Sequence, residues 1–166
     1  MFRKGIKVFA GVVLALVALH FILLPSPEEV LEDFYDLSEE SDRTESMLAN
    51  PLRAHAGLVK DLVIREIANK NMRYRRYAII FLGQCRIREA LPALLAILND
   101  ETEDEVYRGD ALRSIFFIDK EQGLALAQAY RTGEDFLGYR AQKILAGAYP
   151  WETSLRVDET INECAP

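Results

Sequence analysis

The chain reads as all-α: one N-terminal transmembrane helix followed by a short solenoid of helical hairpins. Three observations predict this. A long apolar run opens the chain, a Tyr-Arg pair recurs at a period near 33 residues, and no segment alternates apolar and polar side chains strongly enough to propose a strand. The organisation follows as a signal anchor over 1–25, an acidic linker with a short helix over 26–50, a repeat domain over 51–149 and a C-terminal tail over 150–166.

The first segment carries Arg3, Lys4 and Lys7 and no acid, and then runs apolar from Val8 to Leu24 with only His20 as a break. Counted from Ile6, residues 6–24 span roughly 28 Å as a helix, enough to cross a bilayer core. A cleaved secretory signal would be shorter and end at small residues. Here the run ends Leu23-Leu24-Pro25-Ser26-Pro27, which favours a retained anchor. The bases before the span, and Glu28, Glu29, Glu32, Asp33 and Asp36 after it, place the N-terminus in the cytoplasm. The expectation is a single-pass protein with its domain outside the cytoplasm, in the periplasm of a Gram-negative source. His20 reads as an interfacial side chain near headgroup level.

The linker opens with a helix start: Ser26 as N-cap, Pro27 at the first helical position and Glu29 completing a capping box. Val30, Leu31, Phe34 and Leu37 form a short apolar stripe, and the segment from Glu28 to Glu45 holds nine acids and one base. A solvated juxtamembrane helix is the favoured reading over a charged docking stalk.

Beyond residue 50 the repeat emerges. Tyr74-Arg75, Tyr107-Arg108 and Tyr139-Arg140 each precede an apolar helix, and Leu58, Leu91 and Leu124, spaced by 33, mark a second helix upstream of each pair. Units of this length hide their apolar faces by stacking on neighbours. Helices are predicted near 51–69, 72–85, 88–98, 104–117, 121–131 and 136–148, with Asn50-Pro51 opening the first. The third copy departs from the pattern, with Lys143 in the place of Ala and Gly147 in the place of a large aliphatic residue.

The stretch from Arg75 to Asp100, RRYAIIFLGQCRIREALPALLAILND, resembles bacterial HEAT-like repeats of the phycobilisome-lyase type. The features that carry the resemblance are Leu82-Gly83 closing one helix, Glu89 to Leu95 opening the next, and Val106-Tyr107-Arg108 after an acidic turn. It covers roughly residues 55–149. It implies a helix-pair scaffold that binds other proteins, and in some members lyase activity.

Net charge is −6, which argues against nucleic acid as a partner. The charge is unevenly spread: Arg53 to Glu89 holds nine bases and three acids, Asp100 to Asp135 ten acids and four bases. Arg73, Arg76, Arg86 and Arg88 are therefore the candidate interaction face for an acidic partner, the alternative being the acidic linker folded back over them. Arg75, Arg108 and Arg140 are assigned to a structural ladder, each reaching a polar residue six positions earlier: Asn69, Thr102 and Glu134. Cys85 and Cys164 leave two readings open. A tail of thirteen residues beyond Trp151 extends roughly 40 Å, enough to bridge back to Cys85 in an oxidising compartment. Otherwise Cys85 is a buried thiol and Cys164 a free one.

No catalytic, cofactor-binding or metal-ligating set is assigned. His55 is the only histidine of the repeat domain, and the run Glu101, Glu103, Asp104, Glu105 suits a helix N-terminus better than a calcium loop. The expected function is a membrane-anchored interaction scaffold, adaptor or assembly factor whose partner is a protein, such as a membrane or periplasmic complex, with no enzymatic activity. The alternatives are a lyase-related enzyme or chromophore-handling factor using His55 or Cys85, and a secreted binding module if the N-terminus is removed.

Overall fold

The computed structural model describes residues 25–36, 48–149 and Cys164. Among these residues the protein is all-helical, without strands. The helices are α1 (Pro27–Tyr35), α2 (Asn50–Ala54), α3 (Ala56–Glu66), α4 (Arg75–Gln84), α5 (Leu91–Asn99), α6 (Glu105–Ile118), α7 (Lys120–Tyr130) and α8 (Phe136–Leu145), with a 3-10 turn at Arg88–Ala90 leading into α5. No helix among the described residues is long and apolar enough to cross a membrane. The anchor expected over 6–24 lies outside them.

Helix starts follow local chemistry. Ser26 and Glu29 form the reciprocal capping box that the sequence predicts, with the Glu29 amide donating to Ser26 Oγ at 3.2 Å and the Ser26 amide to Glu29 Oε2 at 2.6 Å. Asp104, Asp119 and Asp135 cap α6, α7 and α8, each accepting a backbone amide of the first turn. The predicted helix over 51–69 is two helices, broken at His55, whose φ of −132° and ψ of 33° leave helical geometry. Both pieces pack against α1.

Gly147 has a physical role that its reading as a decayed repeat position missed. It has φ +68°, its amide reaches Ile144 O, and the amide of Ala148 reaches Lys143 O. This is the glycine-terminated helix end that satisfies the last carbonyls. It stops α8 at Leu145, three residues short of the expected end.

Packing is organised about α6. It lies against α4 on one side and α8 on the other, and α5 and α7 also pack on it. Its burial is correspondingly broad: Asp110, Ala111, Leu112, Ser114, Ile115, Phe116, Phe117 and Ile118 are all inside. Close approach needs small residues at the crossings. A Cβ on Gly83 of α4 would fall 2.6 Å from Ser114 Cβ, and one on Gly109 of α6 would fall 2.8 Å from the Phe136 ring of α8. Ser114 Oγ donates to Ile79 O at 2.9 Å across the first of these contacts.

The acidic linker helix packs on the domain through its apolar stripe, where a solvated juxtamembrane helix was expected. Val30, Leu31 and Phe34 of α1 are buried against α2 and α3, and the Phe34 ring meets Tyr74 edge-on at 6.0 Å. Glu28, Glu29, Glu32 and Asp33 face solvent. Leu37, assigned to the same stripe, lies outside the described residues.

Cys85 and Cys164 form a disulfide with Cα atoms 5.5 Å apart, across a sequence separation of 79 residues. The bridge fastens the C-terminal tail to the end of α4. A loop this long, left open in the unfolded chain, gains enough conformational freedom to cost about 4 kcal/mol of stability. Cys164→Ser is therefore expected to lower the unfolding free energy by about 2–4 kcal/mol in urea titrations, as is reduction of the parent. An unchanged midpoint in both would contradict this role.

Candidate interaction surface

The three arginines of the Tyr-Arg pairs stand at different helical positions. Counted from the N-caps Tyr74, Asp104 and Asp135, Arg75 is the first residue of its helix, Arg108 the fourth and Arg140 the fifth. Each residue turns the side chain by about 100°, so sequence equivalence does not carry into equivalent contacts.

Arg75 and Arg108 share one task. Arg75 Nε donates to Ile67 O at 2.7 Å, and Arg108 Nε donates to Leu98 O at 2.9 Å. Ile67 caps the end of α3 and Leu98 lies in the last turn of α5, where carbonyls lack donors within their own helix. The expected partners six residues upstream are used elsewhere. Asn69 accepts the Asn71 amide in its own turn, Thr102 Oγ1 lies 3.0 Å from Lys70 Nζ and 2.7 Å from Asp100 Oδ1, and Glu134 is exposed. An orphan carbonyl at a helix end is the more demanding acceptor, because it is shut off from water.

Arg75 also crosses to the next unit. Its Nη1 is 2.7 Å from Glu103 Oε2, with the two side chains only 2% and 5% exposed, and its guanidinium lies 5.0 Å from the centroid of the Tyr107 ring. Beside this pair, Lys70 reaches Asp100 at 2.7 Å. That contact, followed by those of Thr102, holds the Asp100 carboxyl well below the usual carboxylate range. The acidic turn is thus tied to the preceding unit by cations and to α6 by the Asp104 cap.

Arg140 belongs to a second network. Its Nη2 is 2.9 Å from Asp110 Oδ1 and its Nη1 2.5 Å from the Tyr149 hydroxyl. Arg76 Nε holds the other oxygen of Asp110 at 2.6 Å. Asp110 is wholly buried in α6 and so receives one guanidinium from α4 and one from α8. The carbonyl role at the end of α7 passes to Gln142, whose Nε2 donates to Arg131 O at 3.0 Å.

Of the four arginines assigned to an interaction face, Arg76 is committed to Asp110 and half-buried. Arg73 is exposed and rests its guanidinium 4.8 Å from the Tyr74 ring centroid. Arg86 follows α4 in a left-handed conformation, φ 50°, and Arg88 is exposed on the 3-10 turn. The structure adds Arg113, one helical turn beyond Asp110. Its guanidinium lies 5.0 Å from the Tyr149 centroid and 5.3 Å from the Phe117 centroid. Burial lowers its pKa from the usual arginine value, and the nearby positive charge of Arg140 acts in the same direction. An acid and a base at positions 110 and 113, one turn apart in the half of α6 that is otherwise mostly apolar, were the sequence signal for this cluster.

A cleft of about 310 Å³ opens where α6, α7 and α8 meet, lined by Arg108, Tyr130, Thr132, Asp135 and Leu137 among others. His55 and Cys85 lie elsewhere, and the Cys85 sulfur is bonded to Cys164. Among the described residues no three His, Cys, Asp or Glu side chains converge to hold a metal ion.

The buried Arg75–Glu103 pair gives a sharp expectation. Glu103→Gln strands a cation in the interior and is expected to cost about 3 kcal/mol, read from urea unfolding. Glu89→Gln removes the exposed Lys60–Glu89 pair and is expected to leave the midpoint unchanged. Equal effects of the two would contradict a structural role for Arg75.

No protein-family model matches the chain, and no curated protein or solved structure is similar to it.

Proposed function

We propose that the chain is a membrane-anchored interaction scaffold, an adaptor or assembly factor that presents a short stack of HEAT-like helix pairs outside the cytoplasm. The observation that carries the reading is the order of packing: α4 lies on α6 and α6 on α8, each the second helix of its pair. Such a stack satisfies its own apolar faces from unit to unit and leaves side chains along its surface for a partner. The Tyr-Arg ladder fits the same reading, since Arg75 and Arg108 are consumed in holding helix ends. The Cys85–Cys164 bridge supports a location outside the cytoplasm, where disulfides persist. The charge asymmetry around residues 6–24 supports the same orientation. Tethering raises the effective concentration at a membrane partner, so a small surface suffices.

Fractionation of cells carrying the tagged full chain tests this. The protein is expected in the membrane pellet after an alkaline wash, with its N-terminus intact and its repeat domain open to protease added from outside. A soluble product beginning near residue 26 would remove the anchor from the account.

A further inference from the structure

Two guanidinium groups meet one carboxylate in the middle of the stack, and a third lies one turn along the same helix. Asp110 gives one oxygen to Arg76 and the other to Arg140. Arg113 stands one turn along the same helix face, yet makes no ion pair and no hydrogen bond among the described residues; its contacts are the rings of Phe117 and Tyr149. Its Nε is shut off from solvent without a partner, as is Nε of Arg140, and Arg113 as a whole is half-buried. Burial lowers its pKa, and repulsion from Arg140 and, more weakly, from Arg76 adds to this against the opposing pull of Tyr149 and Asp110. An oxyanion arriving there would relieve that repulsion and give the unpartnered guanidinium an acceptor.

The geometry points to a seat for a carboxylate of an acidic protein segment, with Arg113 as the receiving group and Arg140 and Arg76 supplying positive potential behind it. A guanidinium fork matches the two oxygens of a carboxylate. The rings of Tyr149 and Phe117 hold the Arg113 plane, and the half-buried Tyr149 gives the segment an apolar edge to lie on. The seat is single, because α6 turns acidic at its start, with Glu105 and the Asp104 cap. It therefore takes one or two carboxylates and not a long polyanion, which needs a basic track. This seat rests on the scaffold reading and names the chemistry by which the partner is recognised.

Titration calorimetry of the full chain in detergent with N-acetylated triglutamate tests the seat, with triglutamine and inorganic phosphate as parallel probes. Saturable binding of triglutamate is expected, weakened by added salt and absent for triglutamine. Arg113→Gln is expected to weaken it about tenfold or more, and Arg88→Gln, on the exposed 3-10 turn, by less than about twofold. Arg113→Gln breaks no ion pair, so circular dichroism is expected to match the parent. Arg113→Lys keeps the charge without the fork, and is expected to bind at an intermediate level. Undiminished binding by Arg113→Gln, or no binding by the parent, would overturn the proposal. Phosphate bound as tightly as triglutamate would overturn the carboxylate assignment. Loss of membrane retention would sink the scaffold reading and leave these titrations standing, whereas failed titrations with a retained chain would sink the seat alone.

Discussion

The carboxylate of Asp110 is the constraint on which the rest of the structure depends. A buried acid in the middle of an apolar helix is costly unless it is both paired and hydrogen-bonded. Here the pairing comes from two different helices, Arg76 on α4 and Arg140 on α8. The charge therefore fixes the register of both neighbours against α6, in a way that apolar contacts alone do not. Ile79, Leu112 and Ile144 supply burial around it, and apolar side chains of similar volume would tolerate sliding. Gly83 and Gly109 complete the constraint by letting the helices come close enough for guanidinium and carboxylate to meet.

A second use of arginine holds the outer helices to this inner layer. The carbonyls that end α3 and α5 would be orphaned against the core, and Arg75 and Arg108 satisfy them. Arg75 goes further, giving its Nη1 to Glu103 of the next turn. One side chain thus closes one helix and joins two successive units. On one side α1 covers α2 and α3 with Val30, Leu31 and Phe34, and on the other the Gly147 turn stops α8.

How much of this was legible in the sequence depends on the range of the interaction. Helix positions were readable because they are set within a few residues. The α6 boundaries, expected at 104–117 and found at Glu105–Ile118, follow from the Asp104 cap and the apolar spacing. The break at His55 was not readable, since Gly57 falls inside the first turn of α3 and no proline stands at the break itself. The ladder arginines were visible as recurring residues, but their acceptors are main-chain carbonyls, which have no letter in a sequence. The third pair misled for a related reason: Arg140 is one helical position later than Arg108, and its side chain turns toward Asp110 instead. The cysteines illustrate the middle case. Tail length permitted the bridge, and only the placement of Cys85 at the end of α4 selected it. Arg113 was passed over because its meaning lies in what Asp110 has already given away.

The most direct test of the central role of Asp110 is native-state hydrogen exchange on Asp110→Ala. If its carboxylate registers both neighbours, amide protection in 75–84 and 136–145 falls together with that of α6, although neither flanking helix is altered. Loss of protection confined to α6, or protection unchanged in all three, would contradict the account.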